Sequence, residues 1–421
     1  MNKYFRRSGL TAEQEKNYYI YDQYSPTIME PVAPIGIISL AGSGSYADEV
    51  NSYLYQRRLT NAPKNRKVSR YSPGYLREDY TLPYESFRFS TGEGKALLPR
   101  SVRGHDLFIL TDVLNYSRTY NFYGKEKRMS PDEHYSDLLR IILAASGKAR
   151  RINIIMPFLY EGRQHRRSLN ESLDAAYMLE ELHSMGIDNF ITFDAHDPRV
   201  SNAIPINGFE TIPTTYQIFK ALFAHIPSLA AGDNRIFLAS PDEGGMQRAM
   251  YYASMLGAPL GTFYKRRDFT TVVDGRNPIV EHEFLGHSVR GYDILIVDDM
   301  IASGESILDI AAALRKNEAR NIYCAVSFGL FTSGLEAFDK AYEEGVISKV
   351  FSTNLIYRTP ELLSRPWYVD VSISKFIALL VDAINHDASL SRLVEPAVKI
   401  RALLERHNII SSDQPAITYS E

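Results

Sequence analysis

From Ile35 onward the sequence follows one repeating pattern, and that pattern allows few folds. Short continuous apolar runs alternate with amphipathic stretches of helix length. The runs are Ile35–Leu40, Leu107–Leu110, Ile152–Met156, Phe190–Phe193, Arg235–Ala239, Ile294–Val297, Asn321–Ser327 and Val350–Thr353. The helical stretches include Asp132–Ser146, Leu169–Met185, Gly244–Leu256, Ser306–Asn317, Gly334–Tyr342 and Ser374–Asn385. Runs that are apolar at every position suit strands covered on both faces, and the intervening helices supply the cover. The expectation is an α/β fold of mostly parallel sheets flanked by helices. The strands divide into two groups, 35–215 and 216–395, each large enough for its own core. Residues 1–34 show no clean period and read as a loosely docked arm, and 396–421 as a tail.

Two segments break the pattern. Residues 57–80 carry Arg57, Arg58, Lys64, Arg66, Lys67 and Arg70 with no acid before Glu78, and residues 116–131 are tyrosine-rich and basic. Both read as long solvated loops. A formal net charge of −3 gives no electrostatic ground for a nucleic-acid partner. A single cysteine, Cys324, excludes an internal disulfide framework and a cysteine-based zinc site. Met1–Arg7 lacks the apolar core of a secretion signal, and runs such as Phe376–Val381 are too short to span a bilayer. A cytoplasmic protein with no membrane contact is the expectation. The chain has 28 tyrosines, and they crowd the arm and the two breaks, which reads as a packing or interface feature.

Chemistry concentrates in Asp293-Ile-Leu-Ile-Val-Asp-Asp-Met-Ile-Ala-Ser-Gly-Glu-Ser306. It reads as a buried strand ending in two carboxylates, a short Ser/Gly loop and a helix start. Such a loop suits a pentose phosphate: its amides and the positive helix end cradle phosphate, with Ser303, Gly304 and Ser306 at the loop. Asp298 and Asp299 can accept hydrogen bonds from two vicinal ribose hydroxyls, at the strand end where open α/β sheets bind ligands. The competing reading makes Ser303 an ordinary helix N-cap and leaves the Asp pair on a solvated turn.

Other strand ends carry charged groups too. Arg163, Arg166 and Arg167, with Gln164, follow the Ile152–Met156 strand and form a cluster of triphosphate size. Asp194 and His196 follow Phe190–Phe193, where they can contact Mg²⁺ or phosphates; their spacing is unlike a zinc triad. Ser240-Pro-Asp-Glu-Gly-Gly245 opens a helix, with Asp242 a candidate metal or ribose contact and glycines that admit close backbone approach. Phe89-Ser-Thr-Gly-Glu93 and Tyr264-Lys-Arg-Arg267 complete the set.

In their order along the chain the motifs resemble those of the ribose-phosphate diphosphokinases (PRPP synthetases), from about Gly36 to Val394. The 293–306 segment alone also resembles the type I phosphoribosyltransferases. The resemblance implies two phosphoribosyltransferase-like domains and transfer of the diphosphate of ATP to ribose 5-phosphate, with Mg²⁺ as cofactor. It implies that Phe89, Thr91, Glu93, Arg163, Gln164 and His196 bind ATP. Asp298, Asp299, Ser303, Gly304 and Ser306 would bind ribose 5-phosphate. His196, Asp194 and Asp242 would hold metal, and Lys265 and Arg267 would form the cationic pair of a catalytic flexible loop. It also implies a homo-oligomer, with the Phe89–Glu93 segment reaching a neighbouring subunit's nucleotide site. The chain departs from the family at Thr91 (usually Asn), His165 (usually Asp), Ala302 (usually Asp) and Glu305 (usually Gly). These departures keep a non-catalytic regulatory or scaffold relative open as an alternative, beside a phosphoribosyltransferase.

Overall fold

The computed structural model describes residues 30–40, 44–62, 72–167, 169–205, 208–226, 229, 235–267 and 279–407. The arm up to residue 29, residues 63–71 of the basic stretch 57–80 and the tail from 408 lie outside the described residues. Five parallel strands form the first sheet, in the order β1 (Ile35–Ser39), β4 (Asp106–Leu110), β7 (Arg151–Ile155), β8 (Asn189–Phe193) and β9 (Gly208–Ile212). Seven strands form the second, in the order β12 (Ile279–Leu285), β11 (Leu260–Arg267), β10 (Ile236–Ser240), β13 (Asp293–Ile301), β14 (Asn321–Gly329), β15 (Lys349–Thr353) and β16 (Tyr368–Val371). All pairs in the second sheet are parallel except β11 with β12. The expected α/β class with mostly parallel sheets is what the chain adopts.

Among the described residues the helices of eight or more residues are α1 (Gly44–Asn61), α2 (Pro131–Ala145), α3 (Asp174–Ser184), α4 (Thr215–His225), α5 (Met246–Leu256), α6 (Glu305–Lys316), α7 (Glu336–Glu343), α8 (Ser374–Asn385) and α9 (Ala397–Arg406). The apolar strands are sealed, with β4 and β10 buried at every position. Two outer cores cover the far face of each sheet. A third, central core is shared: Ile37, Phe108 and Ile191 of the first sheet and Leu238, Leu295 and Phe351 of the second belong to one cluster with residues of α1, α4, α5 and α8.

Three segments differ from the sequence expectation. Residues 57–61 are the end of helix α1 rather than loop, because Tyr46, Val50 and Leu54, four apart, bury one stripe of it. Its two arginines are not solvated. Arg58, 1% exposed, donates to Asp382 (3.0 Å), Asn385 (2.6 Å) and the Tyr75 carbonyl (3.1 Å), and Arg57 donates to the same Asp382 (2.7 Å), tying α1 to α8. Residues 116–131 contain a β-hairpin, β5 (Thr119–Phe122) and β6 (Lys125–Arg128), turned by Tyr123 and Gly124 at φ 48° and 78°. The first part of the expected tail is α9, which buries Ile400, Leu403 and Leu404. Among the described residues no helix is long and apolar enough to cross a membrane.

Candidate active site

The order of the second sheet creates the site. From β10 the chain adds β11 and β12 on one side, then returns to place β13 on the other. The crevice at the carboxyl ends of two strands that diverge in this way is the usual ligand site of an open α/β sheet. The 240–245 turn and the Asp298–Asp299 pair stand at that crevice. β13 does not stop at the pair, as the sequence suggested; it stays hydrogen-bonded to β14 through Ile301, because Met300 and Ile301 continue the register opposite Phe328 and Gly329.

The first sheet brings its own strand end to the same place. His196, just beyond β8, donates from Nδ1 to Oδ2 of Asp299 at 2.6 Å. The hydrogen bond and then the charge of Asp299 raise the His196 pKa against the effect of burial. Burial by itself would raise Asp299, but the His196 hydrogen bond and the charge of Arg248 outweigh it and hold that carboxyl below its ordinary value. Asp298 goes the other way: burial, then repulsion from Asp299, push it up to about 7. One strand end therefore holds one firmly ionised carboxylate and one that is costly to ionise while no ligand is there.

Arg248, in the first turns of α5, is a site residue the sequence reading missed. Its charge acts on His196, Asp298 and Asp299 together. The available signal was its position, one turn beyond Gly244–Gly245 at a helix start. Asp242 caps that turn, its Oδ1 accepting from Gly245 N at 3.1 Å.

Asp194 joins the two sheets. It sits at φ 39°, a left-handed conformation that Asp tolerates better than most residues. Its Oδ2 accepts from Thr214 N (3.1 Å), Thr214 Oγ1 (2.6 Å) and Ser327 Oγ of β14 (2.5 Å). His165 adds a contact within the first sheet, between the segments that follow β7 and β8. Its Nε2 lies 3.3 Å from Asp197 and its ring 5.6 Å from that of His196. That contact draws the exposed Arg163–Gln164 turn toward His196.

At the 302–306 loop, the N-cap of α6 is Gly304, and no side chain caps the helix. Gly304 has φ 93°, and a Cβ there would come within 2.3 Å of the Phe338 ring, so the position requires glycine. Ser303 is therefore not the cap; its Oγ accepts a long bond from Glu305 N at 3.4 Å. Glu305 and Ser306 are exposed. The uncapped amides of the first turn remain available to an anion.

Two predicted groups stand outside this cluster. Lys265 and Arg267 lie on β11, with backbones opposite His282 and Ile279 of β12, but their side chains and residues 268–278 lie outside the described residues. Phe89, Thr91 and Glu93 form the turn between β2 (Glu85–Arg88) and β3 (Gly94–Leu97), with Phe89 54% exposed and Thr91 Oγ1 donating to Glu93 at 3.1 Å. Among the described residues no hydrogen bond, ion pair or ring contact joins this turn to His196 or the Asp pair.

Residues 36–186 match the N-terminal domain of ribose phosphate pyrophosphokinase, and residues 207–356 match the phosphoribosyl transferase domain. Ribose-phosphate pyrophosphokinase 1 of Lactococcus lactis subsp. lactis is 30% identical over 311 residues, covering 73% of this chain and 86% of that protein. The chain belongs to the ribose-phosphate pyrophosphokinase family. Its enzyme class is that of the family. The ribose-phosphate pyrophosphokinase of Maricaulis maris is 27% identical over 342 residues, 80% of this chain and all of that protein. The crystal structure of phosphoribosylpyrophosphate synthetase from Mycobacterium smegmatis shares the fold with a TM-score of 0.65 at 20% identity, covering 84% of this chain and 100% of that one.

Proposed function

We propose that this pyrophosphokinase transfers the β,γ-diphosphate of ATP to O1 of ribose 5-phosphate, giving 5-phosphoribosyl 1-diphosphate and AMP for nucleotide biosynthesis. The observation that carries the reading is the 2.6 Å His196–Asp299 hydrogen bond. It brings a residue of the nucleotide-side strand end against the carboxylate pair suited to ribose hydroxyls, at the switch point of the second sheet. In the reaction O1 attacks the β-phosphorus and the bond from that phosphorus to the α,β-bridging oxygen breaks, so that AMP leaves. Little covalent work falls to the protein, and its task is positioning and charge neutralisation.

Asp298 and Asp299 hold the 2- and 3-hydroxyls, and the uncapped start of α6 holds the 5-phosphate. Arg163, Gln164, Phe89 and Glu93 hold ATP. Lys265 and Arg267, at the mouth of the β11–β12 connection, close over the diphosphate and stabilise its developing charge. Arg248 balances the charge of the two carboxylates beside His196.

The donor set suits Mg²⁺ carried in on ATP rather than a resident ion. Among the described residues no group of three or more His, Cys, Asp or Glu is arranged to hold a metal, and Oδ2 of Asp194 is committed to three donors. Mg²⁺ usually takes one or two protein ligands beside substrate phosphates and waters. His196 and Asp242 are the residues that would touch it, with Asp194 behind them. When bound, Mg²⁺ would draw negative charge from the transferring group.

The test is AMP formation from ATP that depends on ribose 5-phosphate, in wild type and in Lys265→Ala. Loss of one strong transition-state donor should lower kcat by about 100-fold or more. Near-wild-type turnover in Lys265→Ala would remove the loop from the mechanism. A wild type silent for AMP but consuming phosphoribosyl diphosphate with a base would point to a phosphoribosyltransferase. A wild type silent in both assays would point to a regulatory relative.

A further inference from the structure

We propose that the β5–β6 hairpin is a positioning device for the Phe89–Glu93 turn, acting through Phe122 and Tyr123. The proposal rests on the reading of that turn as the adenine-binding segment, and it adds a part that the family motifs do not contain.

The turn has little to hold it in shape. It tops a two-stranded hairpin of four-residue strands whose faces are exposed or half-buried, and an isolated hairpin of that size is marginally stable. Its base is anchored: Arg88 donates to Asp137 (2.7 Å) and to the Glu133 carbonyl (2.6 Å), and Ser86 donates to Asp137 (3.0 Å). The tip is tied back to that base through Arg88, which donates to the Gly92 carbonyl at 3.2 Å. Among the described residues, the hydrogen bond that reaches the tip from outside its own hairpin comes from the tip of the second hairpin. Tyr123 N donates to the Ser90 carbonyl at 3.0 Å. The Phe122 ring lies across Gly92, so close that a Cβ on that glycine would sit 3.1 Å from it.

The brace is itself rigidly mounted. Its root is closed by Met129 N donating to the Arg118 carbonyl at 2.8 Å. Tyr120 donates to Glu133, and Lys127 pairs with the same carboxylate at 3.0 Å. Glu133 is the third residue of α2 and completes its capping box with Ser130. The Lys127 ammonium also lies 5.1 Å from the centre of the Phe122 ring. An unbroken chain of contacts thus runs from the start of α2, through the hairpin, to the Ser90–Gly92 tip. Holding a binding loop in its bound shape lowers the entropy lost on binding, so the gain should appear as nucleotide affinity.

The experiment compares wild type, Phe122→Ala, Phe122→Leu, Phe89→Ala and an excision that replaces residues 119–128 by two glycines. The excision is geometrically feasible because Arg118 and Met129 are already hydrogen-bonded neighbours. The readouts are ATP Kd by equilibrium titration, which needs no turnover, and the KM of each substrate. Phe122→Ala and the excision should weaken ATP by about fivefold or more and leave the ribose 5-phosphate KM within about twofold, with Phe122→Leu recovering most of the loss. Unchanged ATP affinity in Phe122→Ala, while Phe89→Ala weakens ATP, would overturn the brace and leave the adenine reading standing. Unchanged affinity in Phe89→Ala would overturn both. Equal loss for the two substrates would mean general destabilisation and would overturn the positioning role. If the excised chain fails to fold, the two Phe122 variants still decide.

Discussion

Asp298 offers the sharpest test, because its geometry predicts that a damaging substitution at the site will make the empty protein more stable. The substitution is Asp298→Asn, which keeps Oδ1 as the acceptor of the 2.8 Å bond from Asp299 N and removes the ionisable proton. The wild-type carboxyl is pushed up to about 7 by burial and then by Asp299, from an ordinary value of 3.8. The charges that bear on it are Asp299 of its own strand and Arg248 of α5, with His196 standing behind Asp299. A group whose pKa is higher in the folded chain makes its contribution in full below the unfolded pKa, and loses it as pH rises through the folded pKa. Asp298 should therefore erode the stability of the unliganded protein between about pH 4 and 7, with no further loss above.

That rise corresponds to about 4 kcal/mol. Asp298 keeps some contact with water, so about half of that, ~2 kcal/mol, is the expected difference. Urea unfolding without ligand should place Asp298→Asn ~2 kcal/mol above wild type at pH 8.5 and close to it at pH 5. Ribose 5-phosphate should then stabilise wild type by mass action and leave the variant nearly unaffected. A variant no more stable than wild type at pH 8.5, or equally stabilised at both pH values, would refute the burial argument.

Two further substitutions follow from the same geometry. Asp194→Ala should lower unfolding stability by ~3 kcal/mol even without nucleotide or metal, since three buried donors lose their acceptor, whereas a residue that serves only as a metal ligand would leave the unliganded protein unchanged in a urea titration. Glu305→Gln removes an exposed negative charge from the first turn of α6; the ribose 5-phosphate KM should fall by about two- to threefold at low salt and less at high salt, with a loss of a few tenths of a kcal/mol in stability from the helix dipole.

The parts legible in the sequence were those whose signal is local. Continuous apolar runs marked eight of the twelve strands of the two sheets, and the Ser374–Asn385 helix has the bounds its periodicity suggested. Helix α1 was hidden because only one residue in four along it is core. The burial of Arg57 and Arg58 depends on Asp382, more than 320 residues away. β6 was hidden for the opposite reason: Lys125–Arg128 is exposed at every position, so no alternation marks it as a strand. The site followed the same rule. The Asp pair and His196 could be named individually, but their meeting depends on the end of β8 in the first sheet packing against the end of β13 in the second, and that packing leaves no mark on local sequence.

That distinction also bears on the departures from the family pattern. Thr91 and Glu305 are exposed, at the rim of the turn and of the helix start. Ala302 contributes its carbonyl, which accepts from Thr332 N at 2.9 Å, so its side chain can change without moving the loop. His165 replaces an acid but keeps a partner in Asp197. The positions that hold the two sheets against each other, Asp194 with Thr214 and Ser327, and His196 with Asp299, keep mutually satisfied partners. A scaffold protein that had lost its substrates would have no reason to maintain the carboxyl of Asp298 beside Asp299, because in the empty fold its burial next to that charge is expected to weaken the protein. The cost is offset when a ligand supplies hydroxyl donors, and this is the physical argument for an active enzyme over a regulatory relative.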